Sequence, residues 1–174
     1  MGRWRPPQPR GSHYITQQGF LTLKQEAQGL WQKRREVTAA VSAAAAEGDR
    51  SENAEYIYRK KQLREIDRRL GYLQKRLDEL TVVERPPDDQ KRVFFGAWVT
   101  VEDDQGLEHC YRIVGPDEFD QHEHYISMDA PVARALMTKK LDDRVSIELP
   151  GGEKQLTIVD ISYHPPSPLL DIDG

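Results

Sequence analysis

Apolar residues recur at alternating spacings of three and four over two long stretches in the first half of the chain. This spacing places one apolar stripe along a helix, and two such helices joined by a short turn are typical of an antiparallel coiled-coil hairpin. Thr16 is a suitable N-cap for the first helix, Gly48 is a natural stop for it, and Arg34 occupies the one slot that interrupts the first stripe. The two stripes are Phe20, Leu23, Ala27, Leu30, Val37, Val41 and Ala44, and then Leu63, Ile66, Leu70, Leu73, Leu77 and Leu80.

The pattern changes from a helical period to a period of two after Pro86 and Pro87. Alternating apolar residues predict strands over 93–101 and 109–114, joined by the turn residues 103–106. The remaining predicted elements are a strand at 125–128, a helix from Pro131 to Met137, and strands at 145–149 and 155–161 around Pro150-Gly151-Gly152.

The predicted fold class is therefore α+β, with a long N-terminal antiparallel coiled-coil hairpin followed by a small antiparallel-sheet domain that carries one helix. The predicted boundaries, in chain order, are a flexible tail at 1–13, the hairpin at 14–85 with an acidic tip at 48–53, a linker at 86–92, the sheet domain at 93–163 and a Pro-rich tail at 164–174.

The composition favours a soluble protein of the cytoplasm. Hydrophobic residues make up 37% of the chain and charged residues 31%, and no apolar run approaches the ~20 residues that a membrane helix needs. The basic, Pro-rich residues 1–10 are not followed by the apolar segment of a secretory signal. Because Cys110 is the one cysteine of the chain, no internal disulfide can form, which suits a reducing compartment.

The net charge of −4 conceals opposite balances in the two halves. Residues 1–80 contain 16 Lys and Arg against 10 Asp and Glu, a balance of +6, whereas residues 81–174 contain 9 against 19, a balance of −10. Only the first half therefore suits contact with a phosphate backbone.

Two carboxylates, Asp49 and Glu52, lie three residues apart at the expected tip of the hairpin. Their spacing favours a capping box, with Asp49 as the N-cap of the second helix and Glu52 at position N3. Ser51 can cap the helix instead, which leaves both acids free to point outward. Asp49 and Glu52 then form a partial Mg²⁺ site, because Mg²⁺ often takes only one or two protein carboxylates, and a partner supplies the other ligands.

Basic residues of the second helix form a stripe opposite the apolar one, at ~100° per residue. Such a stripe is usually a solvated face, but no acid of this helix interrupts it, and Arg59 and Lys60 extend the positive charge toward the tip. The stripe therefore favours contact with a nucleic acid or an acidic protein. Its residues are Lys61, Arg64, Arg68 and Lys75.

Other aromatic, imidazole and thiol groups have plainer explanations. Tyr56 and Tyr58 follow the tip and either stack on a base or close the hairpin core, and we expect one of them to be core. His122 and His124 share a strand face but lack the helical spacing of zinc-protease motifs, so we assign them no metal role. Cys110 is expected to pack as a small hydrophobic residue.

Several segments, in the same order along the chain, resemble the GreA/GreB family of bacterial transcript cleavage factors. Residues 48–56 (GDRSENAEY) resemble the tip of that family, and residues 60–69 (KKQLREIDRR) resemble its GreB branch rather than GreA. The likeness extends from about Tyr14 to Tyr163. The segments that resemble the second domain are 93–99, 111–115, 130–136 and 150–153.

This resemblance implies a second domain similar to FKBP-type prolyl isomerases, which docks at the rim of the secondary channel of RNA polymerase. The hairpin enters the channel and brings its tip to the active site, where the polymerase hydrolyses the 3′ end of a backtracked RNA. The protein is then an accessory factor and not an enzyme, and it is expected to be a monomer when free.

The resemblance also implies roles for particular residues. Asp49 and Glu52 become the catalytic, metal-binding carboxylates, which share Mg²⁺ with the polymerase and do not bind it tightly in the free protein. One departure from the family concerns residues 32–37, which are one residue shorter and lack its proline. Because one residue rotates a helix by ~100°, the family's contacts of the first helix are not carried over. The residues implied to contact the nascent RNA are Arg59, Lys60, Lys61, Arg64 and Arg68.

Two other functions remain as alternatives. An inhibitor built on the same scaffold would occupy the channel without promoting cleavage, although the intact acidic pair argues against it. A prolyl isomerase would use the second domain, although that domain shows no obvious signature of a large apolar pocket. Assays of RNA cleavage and of proline isomerisation separate the three functions.

Overall fold

The computed structural model describes residues 11–48 and 53–166, and the chain divides into two compact units. The helical unit is Gln18–Leu80, and the sheet unit combines the residues up to Gln17 with those from Thr81 onward. The elements in chain order are β1 (Tyr14–Thr16), α1 (Gln17–Ala45), α2 (Ala54–Glu79), β2 (Thr81–Val83), β3 (Trp98–Asp103), β4 (Glu108–Val114), a 3-10 turn (Phe119–Gln121), β5 (Tyr125–Ser127), α3 (Pro131–Leu136), β6 (Arg144–Leu149) and β7 (Gly152–Ser162).

The helical unit consists of α1 and α2, whose apolar stripes pack on each other. Both helices follow the predicted 3-4 spacing. The buried residues of α1 and α2 belong to the predicted stripes, except Gly19 and Arg76. The predicted coiled-coil hairpin is therefore confirmed. Its buried cluster is Val37, Ile66 and Leu70, with Ala27, Leu30, Val41 and Leu63 packed against it.

The sheet unit contains a five-stranded sheet in the order β5-β4-β3-β7-β6. The β3–β4 and β6–β7 hairpins are antiparallel, as predicted, and β3 also pairs antiparallel with β7. The predicted antiparallel sheet is confirmed, except that β5 at one edge runs parallel to β4. The connection 115–124 is long enough to carry the chain back to the start of β4, which a tight hairpin turn cannot do.

The core of the sheet unit lies between the sheet and α3. Pro131 stands at the first turn of α3, as predicted, where its missing N–H costs no hydrogen bond. Asp103 stabilises the β3–β4 turn, since its carboxylate accepts bonds from the backbone N–H groups of Gln105 and Leu107. The core cluster is Val93, Ala97, Val99, Val101, Ile113, Ala133, Leu136, Val145, Ile147, Leu156 and Ile158.

A two-stranded parallel sheet, β1 with β2, was not predicted. It shifts the ends of the predicted 14–85 hairpin, because both strands belong to the sheet unit. Three-residue strands are too short to display a period of two, and their pairing joins distant parts of the chain. The predicted flexible tail is also wrong at its end, because Ser12 N–H donates to Asp129 (2.9 Å) and the His13 carbonyl accepts from Thr81 N–H (2.7 Å).

Glu118 fastens β1 to the segment that follows β4. Its carboxylate is fully buried and accepts bonds from the Thr16 N–H (2.7 Å) and the Thr16 hydroxyl (2.5 Å). Burial raises the pKa of this carboxyl above its ordinary value, although the bonds to Thr16 and Gly115 act in the opposite direction. The approach is so close that a Cβ on Gly115 would lie 2.0 Å from the Tyr14 carbonyl oxygen. Only glycine fits there.

Candidate nucleic-acid interface

The described ends of α1 and α2 frame the tip of the hairpin. α1 ends at Ala45, and Gly48 follows with a φ of 138°, a conformation that glycine tolerates. Gly48 therefore lies beyond the helix end, as predicted. Asp49 and Glu52 lie outside the described residues, so their catalytic and metal-binding roles stay predictions.

Asn53 joins the two helices at the base of the tip. Its side-chain N–H donates to the carbonyl of Ala44 (2.8 Å), and its side-chain oxygen accepts from the N–H of Tyr56 (3.1 Å). One amide thus satisfies a carbonyl at the end of α1 and an N–H at the start of α2. A carboxylate could accept the second bond but could not donate the first.

The capping-box interpretation of Asp49 and Glu52 is wrong. The N-cap of α2 is Asn53, and the helix begins at Ala54. Asp49 is therefore too early to be the N-cap, Glu52 is not at N3, and Ser51 is not the cap either. Asparagine is among the best N-cap residues, and this preference of Asn53 was the signal that sequence reasoning missed.

The predicted basic stripe lies exposed along α2. Lys61, Arg64, Arg68 and Lys75 are exposed, and none of their side chains forms an ion pair or hydrogen bond within the part of the chain that the structure describes. Cations without protein partners are available to phosphate groups. Lys60 is also exposed, with its ammonium 5.4 Å from the centre of the Tyr56 ring.

Arg59 lies apart from this stripe, on the side of α2 that carries the apolar seam. It is half-buried, and it donates to the Glu55 carboxylate (2.8 Å) and to the Gln62 side-chain oxygen (3.0 Å). These bonds use two of the three guanidinium nitrogens, and contact between Arg59 and RNA stays a prediction.

The two tyrosines after the tip differ in burial. Tyr56 is half-buried, whereas 58% of Tyr58 is exposed. Tyr58 also lines a groove of about 360 Å³ in the side of the helical unit. The groove is also lined by Leu30 and Lys33 of α1. The predicted stripe lies on α2 and therefore could not indicate that α1 takes part. Its lining residues are Leu30, Lys33, Tyr58, Lys61, Gln62, Glu65, Ile66 and Arg69.

In the part of the chain that the structure describes, two ion pairs connect α1 and α2. Arg34, which interrupts the apolar stripe, donates to Asp67 (2.6 Å), and this bond raises the pKa of the guanidinium. Arg69 binds both oxygens of the Glu26 carboxylate, at 3.1 and 2.9 Å. Each pair joins side chains from opposite sides of the hairpin, and because all four side chains are partly exposed, each is expected to contribute only about 0–1 kcal/mol.

In the sheet unit, His122 and His124 belong to an aromatic cluster. Their rings lie 5.5 Å apart, and the His122 ring lies 4.9 Å from that of Tyr125. The His124 backbone N–H donates to Nδ1 of His122 (3.1 Å), so that nitrogen serves as an acceptor. Cys110 is half-buried, and burial raises the pKa of its thiol.

Among residues 11–48 and 53–166 there is no group of three or more His, Cys, Asp or Glu that could hold a metal ion. Within the same ranges, no helix is both long enough and apolar enough to cross a membrane.

Two family models match successive parts of the chain and place it in the class of transcription elongation factors. The family model for the N-terminal domain of transcription elongation factors matches residues 13–82, and the model for the GreA/GreB C-terminal domain matches residues 87–163. The chain belongs to the GreA/GreB family.

The chain is similar to GreB proteins over most of its length. Transcription elongation factor GreB of Pseudomonas aeruginosa is 55% identical over 169 residues, which cover 97% of this chain and 100% of that protein. GreB of Yersinia pestis is 54% identical over 155 residues, which cover 88% and 91%. The predicted resemblance of the chain to the GreB branch of the family is therefore confirmed.

Solved structures are more distant. A prokaryotic transcription elongation factor GreA/GreB from Nitrosomonas europaea is 26% identical with a TM-score of 0.40, over 54% of this chain and 79% of that chain.

Proposed function

We propose that this protein stimulates RNA polymerase to cleave the 3′ end of backtracked RNA and thereby rescues arrested elongation complexes. The observation that carries the proposal is the position of Asp49 and Glu52 in the sequence, between Ala45, the last residue of α1, and Asn53, the N-cap of α2. Acids that are not used as helix caps are available to a partner's active site. Similarity to GreB of two organisms over 88–97% of the chain supports the same function.

The two units divide the work in this proposal. The helical unit enters the secondary channel of the polymerase, because a hairpin of two long helices can deliver its tip far from its base. The sheet unit docks at the rim of the channel and holds the protein there. The free protein is a monomer of the cytoplasm.

Asp49 and Glu52 fit Mg²⁺ by the chemistry of their donors, since Mg²⁺ prefers carboxylate oxygens and completes its shell with water and phosphate. Asp49 and Glu52 would help to hold a second Mg²⁺ at the polymerase active site, and the ion would supply the Lewis-acid chemistry that an in-line displacement by water requires. Two carboxylates are too few to hold the ion in the free protein, so binding requires the polymerase and the RNA.

The exposed stripe contacts the extruded RNA. Lys61, Arg64 and Arg68 have no protein partners among the described residues, so phosphate groups do not have to displace an ion pair. Their regular spacing along α2 offers a cation to each successive turn of the helix. Lys60 extends this surface toward the tip.

Cleavage of RNA in a stalled, backtracked polymerase complex tests the proposal. Asp49→Ala or Glu52→Ala is expected to reduce stimulated cleavage by at least about a hundredfold, because several kcal/mol of transition-state stabilisation depend on a metal ligand or an oriented water. Binding to polymerase, measured in parallel, should stay within about twofold of wild type, since neither acid is an apolar anchor of an interface.

The result that contradicts the proposal is normal cleavage by both variants. Strong binding of the wild-type protein with no cleavage at all identifies a channel-occupying inhibitor instead. Residual proline-isomerisation activity that is independent of Asp49 and Glu52 identifies an isomerase.

A further inference from the structure

The groove in the side of the helical unit has the dimensions of a small-ligand site. Its volume of 360 Å³ falls within the roughly 300–1,000 Å³ of such sites. Leu30 and the buried Ile66 contribute apolar surface from both helices, and the exposed ring of Tyr58 contributes an aromatic wall. An apolar surface beside an exposed aromatic ring suits a flat, stackable group.

The charged residues of the groove narrow the class of ligand. Lys33 and Lys61 line it, and neither forms an ion pair or hydrogen bond within the described ranges. Arg69 is engaged with both carboxylate oxygens of Glu26. Two available ammonium groups beside an aromatic ring match a ligand that carries a phosphate and a planar base.

We propose that this groove binds one nucleotide of single-stranded RNA, with the base stacked on Tyr58 and the phosphate toward Lys33 and Lys61. The proposal rests on the proposed function for the source of the RNA, which is the extruded 3′ segment. It adds a base-binding site, and it adds α1, through Leu30 and Lys33, to a contact that sequence reasoning assigned to α2 alone. Lys61 belongs both to the groove and to the stripe, so an RNA strand can pass from one to the other.

The Glu65 carboxylate in the same groove gives the site a base preference. A carboxylate repels phosphate but accepts hydrogen bonds from amino groups on the edges of bases. Cytosine carries such an amino group where uracil carries a carbonyl oxygen. The groove is therefore expected to prefer cytosine over uracil, two bases of equal ring size.

Binding of labelled oligonucleotides to the full-length protein tests the proposal in the absence of polymerase. The probe is an oligocytidylate of about eight nucleotides, within the usual site sizes of single-strand binders. Tyr58→Leu should weaken binding by about fivefold or more, the effect expected for one stacked base. Tyr58→Phe keeps the ring and should restore wild-type affinity. Tyr72→Leu is the matched control, because Tyr72 is an exposed tyrosine of α2 that does not line the groove.

The contribution of Lys33, the groove cation from α1, is tested with a separate control. Lys33→Ala should reduce the slope of log affinity against log salt by about 0.7, the value for one phosphate contact on a single strand. Arg35→Ala, which removes an exposed cation of α1 outside the groove, should leave the slope unchanged. Glu65→Gln should narrow the difference in affinity between oligocytidylate and oligouridylate.

Several outcomes overturn the proposal. Equal losses for Tyr58→Leu and Tyr72→Leu, or failure of Tyr58→Phe to restore binding, remove the stacking role. Cytidine monophosphate that binds as tightly as the oligonucleotide assigns the groove to a free nucleotide and not to RNA. An absence of saturable binding of the oligonucleotide also overturns it. Because the assay contains no polymerase, a protein that binds RNA in the groove but stimulates no cleavage contradicts the proposed function alone.

Discussion

The helical unit and the sheet unit are stabilised in different ways. Among the described residues, the buried cluster of the sheet unit contains eleven residues, nine of them in its strands and α3 and two, Val93 and Ala97, just before β3. The buried cluster between α1 and α2 contains three described residues. The hairpin adds exposed ion pairs and the bridge made by Asn53. The sheet unit adds a fully buried carboxylate, Glu118.

Because of this difference, the residues of the hairpin that are available to a partner are largely not the residues that stabilise the fold. On the hairpin most side chains face water, so cations such as Arg64 and Arg68 can change without loss of packing. In the sheet unit the chain is closely packed at points such as Gly115. Substitutions on the hairpin should therefore alter function first, and substitutions in the sheet unit should alter stability first.

The largest effect is expected from adding a single methyl group to the sheet unit. In Gly115→Ala the new Cβ meets the Tyr14 carbonyl oxygen at 2.0 Å, which should displace β1 and lower the free energy of unfolding by roughly 2–4 kcal/mol. Gly29→Ala on α1 is the matched control. Nothing lies within 4 Å of the Cβ that this substitution adds, and alanine should raise the stability of the helix by about 0.5–1 kcal/mol. Native-state hydrogen exchange measures the free energy of unfolding of both variants. Equal changes in the two variants would contradict the proposed difference between the units.

A smaller effect is expected at the bridge between the helices. Asn53→Ala removes the bonds to Ala44 and Tyr56, which should lower the stability of the hairpin end by roughly 1–2 kcal/mol. Asn53→Asp keeps the acceptor for the Tyr56 N–H and loses only the donor to Ala44. The readout is hydrogen exchange in the first turn of α2. If the amide hydrogens of this turn exchange as fast in Asn53→Asp as in Asn53→Ala, the bond to Ala44 accounts for the whole loss of stability.

The buried carboxylate should make the stability of the sheet unit depend on pH. Because the pKa of Glu118 is raised in the folded state, its contribution to the stability of the sheet unit is fully present below the ordinary pKa of a glutamate carboxyl. It is lost as the pH rises through the raised value. Glu118→Gln cannot titrate, so the melting temperature of wild type should fall relative to this variant over that interval. Glu102→Gln on the exposed part of β3 should follow wild type. Parallel curves for all three proteins would contradict the assignment.

The smallest effect is expected from an ion pair across the hairpin. Glu26 and Arg69 are each partly exposed, so a double-mutant cycle should give a coupling of about 0.2–1 kcal/mol that decreases with salt. The neighbouring Arg68 has no ion pair in the described ranges, and its coupling to Glu26 should be close to zero. A coupling that is equal for Arg68 and Arg69 would show that the bidentate geometry contributes nothing.

Much of this molecule follows from its sequence because much of it is local. The 3-4 spacing of Leu63, Ile66 and Leu70 determines the seam of α2, and the same periodicity places Lys61 and Arg64 on the exposed face. Whether a segment forms a helix or a strand depends largely on residues that are close in sequence. The hairpin and the main strands were therefore predicted correctly. The family was predicted correctly because its motifs are short and contiguous.

Only the tertiary structure decided the features that join residues distant in sequence. Thr16 and Glu118 are 102 positions apart, and no periodicity in either segment indicates that one binds the other. The parallel pairing of β5 and the groove between Lys33 and Tyr58 have the same origin. A hydrogen bond or a cavity depends on which surfaces the folded chain brings together. Local sequence determines the surfaces but not which of them meet.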